Sequence, residues 1–269
     1  MNRLEAPNFD PGGETIESCG QLEVLYADEH LVAVNKPAGL LVHRSPIDRR
    51  ETRFAQKMLS EQLGRTVYPV HRLDKPTSGV LLFGLSSETA RRMGEIFAGR
   101  GVEKTYLAVL RGHIEDEGVI DYPLVEKVDR LERRPVADRD PQSACTAFRR
   151  LGTIELPHPV GRYATSRYCL VEARPLTGRR HQLRRHFKHL FHPIVGDTRY
   201  GDADHNRFFR REFDCHRLLL AAVELSFPHP FFDRPVTVTA PLCGLFVRLL
   251  ESFEWCSLLP APWLGPRIC

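Results

Sequence analysis

Nine residues, His71-Arg72-Leu73-Asp74-Lys75-Pro76-Thr77-Ser78-Gly79, lie between a short β-like run, Val67–Val70, and an apolar run of strand length, Val80–Leu85. Two strands joined by a loop is the reading these runs impose. Pro76 and Gly79 punctuate the loop, while the hydroxyls of Thr77 and Ser78 can bond the local backbone and stiffen the turn. One carboxylate, Asp74, sits inside it between Arg72 and Lys75. A lone Asp in such a turn caps a backbone amide. Against that stands the density of special residues around this one, in a loop held by strands, so the rest of the chain must decide.

On either side the chain alternates strand and helix signals irregularly. Leu22–Tyr26 and Leu31–Asn35 read as a hairpin across the polar break 27–30, and Lys36-Pro37-Ala38-Gly39 turns the chain. Residues 44–65 are polar, with a weak helical stripe at Phe54, Met58 and Leu59. Ser86 is the expected N-cap of a helix over Ser87–Ala98, with Gly99 at its stop. Further strands are expected at Thr105–Leu110, Ala144–Leu151, Tyr168–Ala173, Leu218–Ala222, Val223–Phe227 and Val236–Ala240. Helices are expected at Arg180–Leu190, Asn206–Phe213 and Leu242–Phe253, the last with its stripe at Leu245, Leu249 and Phe253. Several hairpin-like neighbours favour an α+β fold with a mixed, largely antiparallel sheet.

Length and charge bound what this fold can do. With 269 residues, 42% of them hydrophobic, a sizeable core is available. Residues 1–20 read as a disordered leader, 21–252 as one globular domain and 253–269 as a C-terminal tail, with the charged stretch 126–140 as an exposed excursion. No apolar run reaches bilayer length and the N-terminus has no signal core, so a cytoplasmic protein is expected. The seven scattered cysteines form no C-x-x-C pair and read as reduced thiols. Net charge is only +4, but Arg149–His189 holds ten Lys/Arg against two acids, a local +8 that leaves the remainder near −4. A segregated basic region suits a polyanion such as RNA.

Four readings compete for this assembly. His71-Arg72-Leu73-Asp74 differs from the kinase order H-R-D-L, and no Gly-rich phosphate loop, D-F-G or A-P-E accompanies it. The histidines at 181, 186, 189 and 192 lack the acid or cysteine that would complete a metal site. An RNA-binding module without chemistry would use the basic residues interleaved with Tyr163, Tyr168, Phe187 and Phe191 for phosphate contact and base stacking, but leaves Asp74 idle. Catalysis on a nucleobase is the fourth reading. In the helix after Gly178, Arg184 falls at the edge of the apolar stripe of Leu183, Phe187 and Leu190, where a half-buried arginine wants an anionic partner.

In register, His71-Arg72-Leu73-Asp74 with Thr77-Ser78-Gly79, Lys104-x-Tyr106, Thr177-Gly178-Arg179-Arg180-His181-Gln182-Leu183-Arg184 and His192-Pro193-Ile194-x-Gly196-Asp197 resemble the pseudouridine synthases of the RluA family. The resemblance spans about residues 22 to 241 and extends to Asn35-Lys36-Pro37 and Gly161-Arg162-Tyr163. It implies the pseudouridine synthase fold with a central active-site cleft, and isomerisation of one uridine, at position 65 in the acceptor/T-arm region of tRNA. By the same resemblance Asp74 is the nucleophile, with attack at C6 of the uracil and at C1′ of the ribose both open to it. Arg184 is its ion-pair partner, Tyr106 stacks on the uracil and assists removal of the C5 proton, and Arg72 fills the space the flipped base leaves. His71, Arg179, Arg180, His181, Gln182, Arg185 and Lys188 are the expected RNA contacts. No cofactor or metal is needed, and a monomer is expected; Lys75 receives no role.

Overall fold

The computed structural model describes residues 20–44, 51–126 and 140–265. The expected leader, apart from Gly20, nearly all of the charged excursion 126–140 and the end of the tail lie outside the described residues. Ten strands, β1 (Glu23–Ala27), β2 (Leu31–Lys36), β3 (Tyr68–Pro69), β4 (Ser78–Gly84), β5 (Glu103–Arg111), β6 (Glu117–Asp121), β7 (Cys145–Leu156), β8 (Ser166–Pro175), β9 (Leu220–Pro228) and β10 (Pro235–Thr239), form one sheet. Its helices are α1 (Ala55–Leu63), α2 (Ser87–Ala98), α3 (Gln182–His189), α4 (Ala203–Phe213), α5 (Gly244–Ser252) and α6 (Ala261–Leu264), with a 3-10 turn at Cys256–Leu258.

Strand order is β1-β2-β4-β9-β5-β8-β7-β6, with β3 on β4 and β10 on β9. Every pairing is antiparallel except β4 with β9, where Ser78 faces Ala221 and Gly79 faces Ala222. The α+β reading with a mixed, largely antiparallel sheet therefore holds. β4, read as a continuous apolar run, is buried along its whole length, as a strand covered on both faces must be. α2 starts where its cap predicted, with Ser86 Oγ accepting from Thr89 N at 3.1 Å.

Three local expectations fail for physical reasons. The separate strands expected at Leu218–Ala222 and Val223–Phe227 are one strand, because no turn residue interrupts β9. β6 went unread: it is a short edge strand whose Val119 is 65% exposed, so it carries almost no burial pattern. In α5 the buried face is Phe246, Leu249 and Leu250, with Leu245 only partly buried. The described part of the tail also packs: Trp255, Leu259 and Trp263 enter the core of β5, β8, β9, α4 and α5. Leu242 N bonds Trp263 O at 2.8 Å and ties this end down. No helix among the described residues is long and apolar enough to cross a membrane.

Candidate active site

The loop 71–79 is held from three directions. Thr77 N donates to Asp74 O at 3.0 Å and closes the turn locally. Gly39 N reaches Lys75 O at 2.8 Å, joining the loop to the Lys36–Gly39 turn. Beneath both, the wholly buried Lys36 donates from Nζ to the carbonyls of Pro37 (2.9 Å), Leu40 (2.8 Å) and Lys75 (3.2 Å). Three carbonyls match the three N–H donors of an ammonium, although burial, with the Arg217 charge, pushes Lys36 down to about 7. At the loop's end Gly79 has φ +112, and a Cβ there would lie 2.0 Å from Ala222 O. Only glycine lets β4 approach β9 this closely.

That approach brings the distant motifs together. Ala222 of β9 pairs with Gly79 on one side and with Tyr106 of β5 on the other. The register slips between Thr105 and Tyr106, and such a bulge re-aims the side chain that follows it. Tyr106, Asp74, Leu220 and Arg184 all line a cleft of about 530 Å³, with Arg72, Lys104, Arg179, Arg180 and His181 around it. Burial first, and the Asp74 charge second, push the Tyr106 phenol up. It is a phenol, not a phenolate, at neutral pH.

Arg184 lies between two carboxylates. Its NH1 donates to Asp74 Oδ2 at 3.1 Å, while Nε and NH2 grip Asp197 Oδ2 and Oδ1 at 2.7 and 2.8 Å. The half-buried, edge-of-helix position expected for Arg184 is wrong in degree: it is 5% exposed, because Tyr200 covers it, with the guanidinium 5.2 Å from the ring centroid. Burial alone would lower Arg184, but the bonds and charges of Asp197 and Asp74 outweigh it and raise its pKa. Burial likewise pushes Asp197 up, yet Arg184 and the N–H groups of Tyr200 and Arg199 bring it net down. The bidentate pair thus fixes the guanidinium, and its third nitrogen presents a positioned donor to Asp74. Asp197 is itself set by Gly196, φ +80, where a Cβ would lie 1.9 Å from Arg217 O.

The remaining expected contacts divide. His181, at φ +56 before α3, bonds Tyr200 OH through Nδ1 at 3.0 Å and holds Nε2 3.8 Å from Asp74 Oδ1. Burial pushes it down to about 4, so its ring is neutral. Gln182, expected to touch RNA, is instead saturated inside the protein. Its Oε1 accepts from Thr177 Oγ1 and Arg179 N at 2.7 and 3.0 Å, and its Nε2 donates to Cys145 O and Thr146 Oγ1 at 2.9 and 3.0 Å. Four bonds exhaust the amide. His71 lines the cleft but its Nε2 accepts from Leu82 N at 3.0 Å, and its ring stacks on Phe97 at 5.2 Å; burial takes it down to about 4. It pins the loop to β4. Arg72, Arg179 and Lys188 are exposed, Arg179 Nε bonds Ser143 O at 3.0 Å and Arg185 NH1 bonds Val125 O at 2.9 Å. Lys75 pairs with Glu51 at 2.5 Å.

Asp197, Tyr200 and Lys36 were not named as site residues from the sequence. Asp197 and Lys36 lie in the quoted motifs Gly196-Asp197 and Asn35-Lys36-Pro37, but no local pattern says which distant partner they serve. Among the described residues no group of three or more His, Cys, Asp and Glu could hold a metal ion. His186 bonds Thr146 Oγ1 and Tyr122 O, and His189 stacks on Tyr122 at 3.7 Å.

Comparison with known proteins finds relatives over most of the chain. The family model described as RNA pseudouridylate synthase matches residues 30–189. A Vibrio cholerae protein named tRNA pseudouridine synthase C is 52% identical over 235 residues, covering 87% of this chain and 96% of its own. A Haemophilus influenzae protein of the same name is 50% identical, covering 87% and 98%. Among solved structures, human RNA pseudouridylate synthase domain containing 1 aligns with a TM-score of 0.63 and 27% identity over 91% of this chain and 98% of that one. Human RNA pseudouridylate synthase domain containing 4 aligns at 0.64 and 27%, over 86% and 93%.

Proposed function

The chain belongs to the RNA pseudouridylate synthase family, and from that membership we propose that it converts a single uridine of tRNA, uridine 65, to pseudouridine with Asp74 as nucleophile. Support for tRNA as substrate comes from relatives named tRNA pseudouridine synthase C that share about half their residues with nearly all of this chain. The observation that carries the chemistry is the carboxylate of Asp74 on the cleft, bonded to an arginine that a second, buried carboxylate holds in place.

The reaction breaks the C1′–N1 bond, forms C1′–C5, removes the proton from C5 and places one on N1. It is redox-neutral and balances without a co-substrate. Asp74 forms the transient covalent bond, at C6 of the uracil or C1′ of the ribose, that lets the base leave and turn. The uridine must first leave its stack, at a cost of a few kcal/mol, and Arg72, exposed at the cleft mouth, fills the vacated space. Tyr106 stacks on the base. Its phenol cannot take the C5 proton while burial and the Asp74 charge both hold its pKa up. Esterification of Asp74 removes only the smaller of these causes, so burial keeps the phenol protonated and its role is to hold the base.

Carbodiimide-based primer extension on tRNA and ribosomal RNA incubated with the protein tests this reading. The expected result is one new stop at uridine 65 of tRNA, absent with Asp74→Asn although that variant still binds tRNA. Modification of ribosomal RNA alone would reassign the substrate, and wild-type turnover by Asp74→Asn would reassign the nucleophile.

A further inference from the structure

Tyr163, Tyr168 and Phe187 lie in the basic segment and Phe191 just beyond it, and the fold separates these four aromatics into two kinds. Tyr168 and Phe187 are completely buried, whereas Tyr163 is 57% and Phe191 80% exposed. Neither exposed ring lines the cleft. Phe191 is the most exposed large hydrophobic among the described residues, and its backbone is left-handed, with φ 62. Glycine would take that conformation at lower cost than a bulky residue. The turn is nonetheless firmly built: Phe191 N donates to Lys188 O at 3.0 Å, Arg111 NH2 donates to Phe191 O at 3.0 Å, and His192 N donates to Phe187 O at 2.9 Å. A rigid, disfavoured turn thus presents a ring to solvent, where it adds nothing to the core.

The surroundings are cationic. Exposed Lys188 lies one turn earlier. At the same end of the sheet Gly112 N bonds Arg167 O at 2.7 Å and Arg111 pairs in register with Tyr168. Arg162 donates to Tyr163 OH at 2.9 Å, with its guanidinium 5.1 Å from the ring centroid. The bond from Arg162, followed by its charge and those of Arg111 and Arg167, draws the Tyr163 phenol below its usual range. Arg111 shares its own charge with Asp202, at 2.7 Å, which leaves Lys188, Arg162 and Arg167 as the exposed cations of the patch. Exposed rings among cations suit nucleic acid, which offers π faces and phosphates together. α3 leads from Arg184 in the cleft to Lys188 and Phe191, and along β5 the five steps from Tyr106 to Arg111 span roughly 17 Å, several stacked nucleotides.

We infer that Phe191 and Tyr163 form a second RNA-docking surface, stacking on accessible bases of the substrate tRNA away from the flipped uridine while Lys188, Arg162 and Arg167 meet its phosphates. This rests on tRNA being the substrate. Phe191→Gly tests it cleanly, because it removes the ring while suiting the left-handed turn. The melting temperature should stay at or above that of the wild type. The KM for full-length tRNA should rise, and the affinity for a fluorescent tRNA transcript measured by anisotropy should fall, by about fivefold or more, the loss expected for one stacked base. Adding Tyr163→Ala should deepen both. Unchanged KM and affinity in the double variant would overturn the inference and leave the patch to a protein partner. If the wild type forms no pseudouridine in tRNA, the substrate reading fails, and the anisotropy comparison still decides whether these rings contact RNA.

Discussion

Arginine and lysine do opposite work on the floor of the cleft and at or beyond its edge. Arg184 is 5% exposed, and its hydrogen-bonding edge is divided between Asp197 and Asp74. Arg179 at the edge of the cleft and Lys188 beyond it on α3 are exposed. A buried guanidinium in a fixed bidentate pair has one geometry, feels little salt and cannot lose a partner cheaply. Exposed cations have many geometries and act through a screened field. Chemistry at one carbon atom calls for the first arrangement, and adhesion to a long polyanion is served by the second.

Breaking the floor should cost most. After loss of Asp74 itself, the largest effect is expected from Asp197→Asn, which leaves Arg184 buried with only Asp74 for a counter-charge. Urea denaturation should show a loss of about 3 kcal/mol, and pseudouridine formation should fall with it. A variant as stable and active as the wild type would mean that Asp74 alone suffices to hold the arginine.

A smaller effect comes from the neutral histidines beside the floor. His71 and His181 are pushed by burial down to about 4 from an ordinary 6.5. As pH falls below 6.5 the unfolded chain takes up their protons and the folded one does not, so stability is complete above 6.5 and declines towards pH 4. Melting temperatures across that window should drop steadily. His71→Gln, which keeps an acceptor for Leu82 N–H, should flatten the decline. An unchanged slope would assign it to other groups.

Among the exposed cations the change should be smallest and of another kind. Lys188→Ala should lower the slope of log affinity for tRNA against log salt by roughly 0.7 to 0.9, one phosphate contact, measured by anisotropy from 50 to 300 mM salt. A slope equal to the wild type would remove Lys188 from the RNA path.

Much of the framework was legible in the chain. The capped helix α2, the first hairpin and the strands around the loop 71–79 are specified by short-range periodicity and turn chemistry, which survive in any compact context. The edge strand β6 was not, because a strand that buries one side chain of five has no pattern to read. The buried face of α5 was misplaced for a related reason: several of its residues are apolar, and only the elements packed on it select Phe246 over Leu245.

At the site the division follows distance along the chain. Asp74, Tyr106 and Arg184 could be picked out from residue type, loop chemistry and family motifs. That Gln182 and His71 are internal clamps, while Lys36 and Asp197 support the loop of Asp74 and its arginine, depends on contacts the sequence does not state. The Asp74–Arg184 bond joins residues 110 apart, and it forms only because Gly79 lets β4 close on β9. Propensity and pattern are properties of neighbours in sequence. Burial and counter-charge belong to neighbours in space, and only the packed sheet decided those.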